Sequence, residues 1–296
     1  YSSGHNAIWL RHFWIDDKHT DIEYRALVDR FHRMRIKDVY FHAGPLDGKG
    51  SVSKEKLDGS AQLIKHIKAI DPNIRMQPWL GQVAKFGGGG PLALQSQEVK
   101  RQIVQTAAKF LELGGDGFHL DIARIYSADK DYLQLLSELH NVTKSHNAIL
   151  SIAAFKPEEF PGLEKIARLV AKCPGYWTKD YFLKVSNKVD QVAVMAYDSA
   201  IMLPGIFGRS VKWTTKWSVE NGVKDLYIGI PTYEDGGPAH FVWAENLNSG
   251  IKGLKLGVLS LDRSDQSKVG AAIFAEWTTS DSEEKAFISD WSGNQE

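Results

Sequence analysis

The segment Asp116-Gly117-Phe118-His119-Leu120-Asp121-Ile122-Ala123 alternates apolar and polar side chains. On an extended strand, Phe118, Leu120 and Ile122 share one face, and His119, Asp121 and Ala123 share the other. A carboxylate on a buried inner face is costly unless it is hydrogen-bonded or used chemically. Asp121 is therefore a candidate functional carboxylate. Met195-Ala196-Tyr197-Asp198 sets a phenol beside a second carboxylate, with Tyr197 on the face of Gln191, Ala193 and Met195. The same alternation puts Tyr40 with His42, and Arg75 with Gln77 and Trp79. Gln77, Trp79 and His42, placed at strand ends, are candidate substrate contacts. So are Trp9, Trp14, Tyr233 and Trp277, whose rings suit the flat faces of sugars. Glu276 is a reserve acid, although alternation aims it away from Trp277. Trp213, Trp217, Trp243 and Trp291 fall in helical patterns, where packing between helices is the simpler account.

Elements must position these groups. Eight short apolar runs are expected as strands: 7–10, 38–42, 74–77, 117–122, 148–152, 191–196, 226–230 and 271–274. Their ends fall roughly 30 to 46 residues apart, the spacing of repeated βα units. Tyr24, Leu27, Val28 and Phe31 form a helical stripe, as do Tyr132, Leu135, Leu136 and Leu139. Further helices are expected near 156–172, 178–187, 205–221, 239–248 and 281–290. Alternating strand and helix implies a parallel sheet, and eight units favour a closed (β/α)8 TIM barrel. No Ser- or Pro-rich linker divides the chain, so residues 1–296 are read as one domain.

The 36 basic residues equal the 36 acidic ones. A phosphate-reading nucleic-acid binder would show a basic excess. No apolar run has the roughly 18 residues of a membrane span. The single cysteine, Cys173, excludes an internal disulfide and a cysteine-cluster metal site. The His residues show no helical metal spacing, so no metal and no cofactor are expected. Gly87–Gly90 lacks the Lys-Ser/Thr of a phosphate loop and reads as a surface loop. The start Tyr1-Ser2-Ser3-Gly4 is not a signal peptide and is read as a trimmed end. Nine Trp among 296 residues hint at carbohydrate.

The 116–123 segment resembles the Asp-Gly-x-Asp-x-Asp-x-Glu strand of family 18 glycoside hydrolases, the chitinase and endo-N-acetylglucosaminidase group. Met195-Ala196-Tyr197-Asp198 is similar to that family's Met-x-Tyr-Asp, and 226–233 to its seventh strand. Trp277 stands where the family places a Trp under the sugar. The resemblance implies retaining hydrolysis in which the substrate's own 2-acetamido oxygen attacks the anomeric carbon, an exception to the usual carboxylate pair. It implies that Asp121 orients the acetamido group and stabilises the oxazolinium. Tyr197 would donate to the acetamido oxygen, Asp198 would hold the acetamido group or a hydroxyl, and Asp116 would support the turn. Two positions depart from the pattern. His119 replaces an Asp, and is read either as a partner that tunes Asp121 or as a satisfied barrel histidine. Ala123 replaces the general acid, and a methyl group transfers no proton. Either the chain is an acid-deleted glycosidase or it is a natural sugar-binding protein without catalysis. The retention of Asp121, Tyr197 and Trp277 favours the first. A third reading uses another carboxylate pair, Asp121 with Asp198 or Glu276, on a sugar without an acetamido group. The expected partner is an oligosaccharide or polysaccharide, met by a secreted monomer, with neither nucleic acid nor membrane.

Overall fold

The computed structural model describes residues 5–85, 89–171 and 175–293. The chain start, Gly87, Gly88 and Cys173 lie outside the described residues. Among the described residues ten strands are formed: β1 (Asn6–Leu10), β2 (Ile36–His42), β3 (Arg75–Val83), β4 (Gly117–Ala123), β5 (Ile149–Ala154), β6 (Lys156–Pro157), β7 (Tyr176–Trp177), β8 (Gln191–Val194), β9 (Leu226–Pro231) and β10 (Val269–Phe274). Eight of them close a parallel barrel in the order β1-β2-β3-β4-β5-β8-β9-β10. The short β6 and β7 pair with each other on the side, β6 at the start of the helix expected over 156–172 and β7 between that helix and the one expected over 178–187. Helices occupy the crossovers, as the alternation requires.

The helical stripes face the barrel wall. Tyr24, Leu27, Val28 and Phe31 of helix Asp21–Met34 are buried, and Thr20 and Glu23 form a capping box at its start. Phe118, Leu120 and Ile122 join the outer core between wall and helices, together with Val192 and Val194. Trp9, Tyr40, Ala193, Tyr227 and Ala272 pack inside the barrel, with Trp79 and Phe274 against them. The helix expected near 239–248 instead spans Leu247–Val258, because Asn246 supplies the cap to the Ser249 amide.

The lower interior is a polar network. Asp38 is fully buried and accepts from Gln77 Nε2 at 2.7 Å, from Tyr227 Oη at 2.5 Å and from the Arg75 guanidinium. Tyr40 Oη donates to Gln191 Oε1 at 2.6 Å. Gln77 therefore does not reach the cleft. Strand β3 runs through Pro78 to Val83, six residues beyond Gln77, and leaves that amide in the buried network. Trp291 Nε1 donates to Asn6 Oδ1 at 2.7 Å and packs under β1.

Candidate active site

The register across β3 and β4 sets the floor of the cleft at the C-terminal barrel end. Trp79 pairs with His119, Gly81 with Asp121 and Val83 with Ala123. Trp79 Nε1 donates to Asp121 Oδ2 at 3.1 Å. A Cβ on Gly81 would stand 3.2 Å from Asp121 O and 3.6 Å from Trp79 Nε1, so glycine gives this pair room. Burial pushes the Asp121 carboxyl up to about 6, against the lowering effect of the Trp79 hydrogen bond. Asp121 thus changes charge near neutral pH, a property suited to catalysis. Ala123 ends β4 on the same face, and Arg124 after it has left-handed backbone, φ 63°. Asp116, at the other end of the strand, accepts the Met76 amide at 2.7 Å and binds the Lys68 ammonium.

His119 is held by two groups other than Asp121. Its Nε2 accepts from Trp9 Nε1 at 3.2 Å, which puts the proton on Nδ1, 2.6 Å from Ser151 Oγ. The Tyr40 ring stacks on it at 3.8 Å. Burial holds its pKa well below the usual histidine range, so it is a neutral part of the barrel interior. Trp9, 1% exposed, lies in that same aromatic layer beneath the cleft.

Tyr197 is buried beside Asp121, and burial together with the charges of Asp121 and Asp198 keeps its phenol protonated. A Cβ on Gly229 would meet Tyr197 Cε1 at 2.9 Å, so glycine at this point of β9 admits the ring. Asp198 follows with φ 51°, and accepts the Tyr233 hydroxyl. Strained backbone after both β4 and β8 marks the barrel end where side chains are aimed into the cleft. Tyr197 and Asp198 line a cavity of about 690 Å³ with Phe155, Tyr176, Met195 and Ser199. Lys156 stands behind Tyr176, its ammonium 4.8 Å from the ring centre, and burial brings its pKa down to about 8.

The aromatic floor centres on a residue that the sequence reading missed. Phe274 stacks on Tyr197 at 5.0 Å and meets Trp9 at 5.5 Å, Tyr233 at 5.8 Å and Trp277 at 5.9 Å. Its position as the last residue of β10, on the face of Ala272, is the signal that would have found it. Trp277, three residues on and 39% exposed, stands at the rim. His42 packs edge-on to Trp79 at 4.6 Å, and burial with nearby His12 lowers its pKa to about 4.

Two expected contacts lie elsewhere. Trp14 packs 4.5 Å from His19 and against Tyr24 beneath the first βα loop. Glu276 turns behind the wall, 3.6 Å from Arg30 Nη1 and 3.9 Å from Arg11 Nε. Burial raises its carboxyl above the ordinary range, against the lowering effect of the two guanidinium groups. Trp243, expected between helices, is 63% exposed and donates to Met202 O at 2.9 Å. No helix among the described residues is long and apolar enough to cross a membrane.

No protein-family model and no curated protein sequence matches the chain. Solved structures do match its fold. A chitinase from Chromobacterium violaceum is 14% identical, with 98% of this chain and 100% of that one covered at a TM-score of 0.64. The Group IV chitinase of Ostrinia furnacalis is 13% identical, with 96% and 98% covered at 0.64. The Bacillus cereus spore cortex-lytic enzyme SleL is 10% identical, with 97% and 74% covered at 0.64. The chain is therefore a TIM barrel of the shape found in chitinases.

Proposed function

We propose that this protein is a glycoside-hydrolase-type barrel that takes a glycan bearing 2-acetamido sugars. The observation that carries this reading is the pairing of Trp79 with Asp121, two residues before Ala123 on the cleft face, with Tyr197 alongside. Asp121 receives the acetamido N–H and balances the charge on its carbon when the acetamido oxygen attacks the anomeric centre. The Tyr197 hydroxyl donates to that oxygen and aligns it. Phe274 and Trp277 offer aromatic surface to the sugar. The departing glycosidic oxygen then needs a proton. Ala123 has none to give, and losing a general acid costs on the order of 10²–10⁴-fold in rate. The chain as it stands therefore binds the glycan and turns it over poorly. A polymeric glycan substrate suits an extracellular protein.

The test restores the acid. Ala123→Glu is assayed on N-acetylglucosamine oligomers beside the parent chain, with binding to both followed by calorimetry. A rate gain of about 100-fold or more with retained stereochemistry supports the reading. Binding without any gain makes the barrel a non-catalytic sugar binder. Neither binding nor gain across acetamido glycans removes the proposal.

A further inference from the structure

The loops after β8 and β9 bring together a second group of side chains. Asp198 follows β8, while His240 and Glu245 lie between β9 and helix Leu247–Val258. His240 is 3% exposed and Glu245 is fully buried. His240 Nδ1 stands 3.3 Å from Glu245 Oε2 and 3.5 Å from Asp198 Oδ1. One ligand atom from each of the three residues falls within 4.8 Å of the others. Neither ring nitrogen of His240 has a hydrogen-bond partner. A buried imidazole left so is costly, which calls for a ligand at this place.

The surroundings hold both carboxylates in place. Glu245 Oε1 accepts from the Ser199 amide at 3.1 Å, the Ser199 hydroxyl at 2.7 Å and the Ile201 amide at 3.1 Å. Its Oε2 shares the Ser199 amide at 3.2 Å and faces His240. Asp198 is tied by the Tyr233 hydroxyl, and the Tyr233 ring stacks on His240 at 4.2 Å. Outer partners of this kind are what orient metal ligands.

We propose that Asp198, His240 and Glu245 bind one divalent transition-metal ion of the zinc class. One imidazole nitrogen and two carboxylate oxygens form a donor set that zinc accepts. Ligand atoms about 2.1 Å from a tetrahedral zinc stand about 3.4 Å apart. The distances of 3.3 and 3.5 Å from His240 Nδ1 to the two carboxylates match that spacing. The expectation of no metal rested on helical His spacing, whereas this cluster spans two loops. The ion would fasten the β9 loop to the end of β8, and Asp198 opens its remaining position to the cavity. The site does not depend on the glycan reading.

The test is a titration of untagged, EDTA-stripped protein with zinc chloride at pH 7.5, read by calorimetry. His240→Gln, Asp198→Asn and the surface control His32→Gln are titrated alongside. One equivalent should bind to the parent and to His32→Gln, and affinity should fall at least about 10-fold in the other two. Melting in EDTA reports whether His240→Gln is folded; if it is not, Asp198→Asn, at an exposed position, decides. Absence of binding to the parent overturns the proposal. Unchanged binding in a folded His240→Gln, or in Asp198→Asn, overturns it as well. Binding lost in His32→Gln alone would mean a surface site only.

Discussion

The indole N–H of Trp79 lies 3.1 Å from Asp121 Oδ2, across one rung of the β3–β4 ladder and beside the side-chain-free Gly81. The bond favours the ionised carboxylate while burial opposes it, and the outcome is a pKa of about 6. Trp79→Phe removes the donor and keeps the ring. A hydrogen bond to a charged group contributes about 1.5–3 kcal/mol, and one pKa unit is about 1.4 kcal/mol. Allowing for water entering the partly open cleft, Asp121 should move up by roughly one unit. Carbon-detected NMR titration of the Asp121 carboxyl measures this directly. An unmoved pKa would show that the indole does not hold the carboxylate.

The same raised pKa links stability to pH. Between about pH 4 and 6 folded Asp121 keeps a proton that the unfolded chain has released, so its contribution to stability falls as pH rises through that window. Asp121→Asn removes this dependence. The gap between variant and parent in urea unfolding should grow from pH 4 to pH 7 by on the order of 2 kcal/mol, discounted for partial exposure. A gap constant across that range would contradict the raised pKa.

Beneath the cleft, Asp38 gathers Arg75, Gln77 and Tyr227 in the closed end of the barrel. Asp38→Ala removes the carboxylate that pairs with the Arg75 guanidinium, leaving the more distant Asp225 charge, and takes an acceptor from both Gln77 and Tyr227. Removing one partner of a buried ion pair costs about 3–5 kcal/mol. Urea unfolding should show a loss of that size, whereas a change below about 1 kcal/mol would mean that water replaces the carboxylate. Glycan affinity in the folded fraction should stay unchanged, because the network lies below the aromatic layer of Trp9 and Tyr40.

The barrel was legible because its signals are periodic. Alternation alone turned Phe118, Leu120 and Ile122 outward and left Asp121 and Ala123 facing the cleft. Legibility failed where a strand ends or a loop begins. The run expected as the third strand stops at Gln77, yet β3 continues through Pro78 to Val83, and Gln77 is consequently buried in mid-strand. At the end of β10 the chain leaves its alternation, so the floor belongs to Phe274 and the rim to Trp277. Asp198, His240 and Glu245 share no period at all. Only the folding of two loops brings them together.

His119 should give the chain an acid limit. Its Nε2 accepts the Trp9 N–H, and a proton added there would set two donors face to face in an aromatic layer. Its folded pKa therefore lies well below the ordinary value near 6.5. Below pH 6.5 the unfolded chain gains a proton that the folded chain refuses, so this contribution is complete at neutral pH and is lost as pH falls. His119→Gln keeps polar groups for Trp9 and Ser151 and does not titrate. It should be less stable than the parent at pH 7, and the difference should shrink by about 1.4 kcal/mol for each pH unit below 6.5. Urea unfolding in an Asp121→Asn background isolates the effect, because Asp121 contributes the opposite slope over part of this range. A difference that stays constant from pH 7 to pH 5 would mean that His119 takes up its proton in the folded barrel.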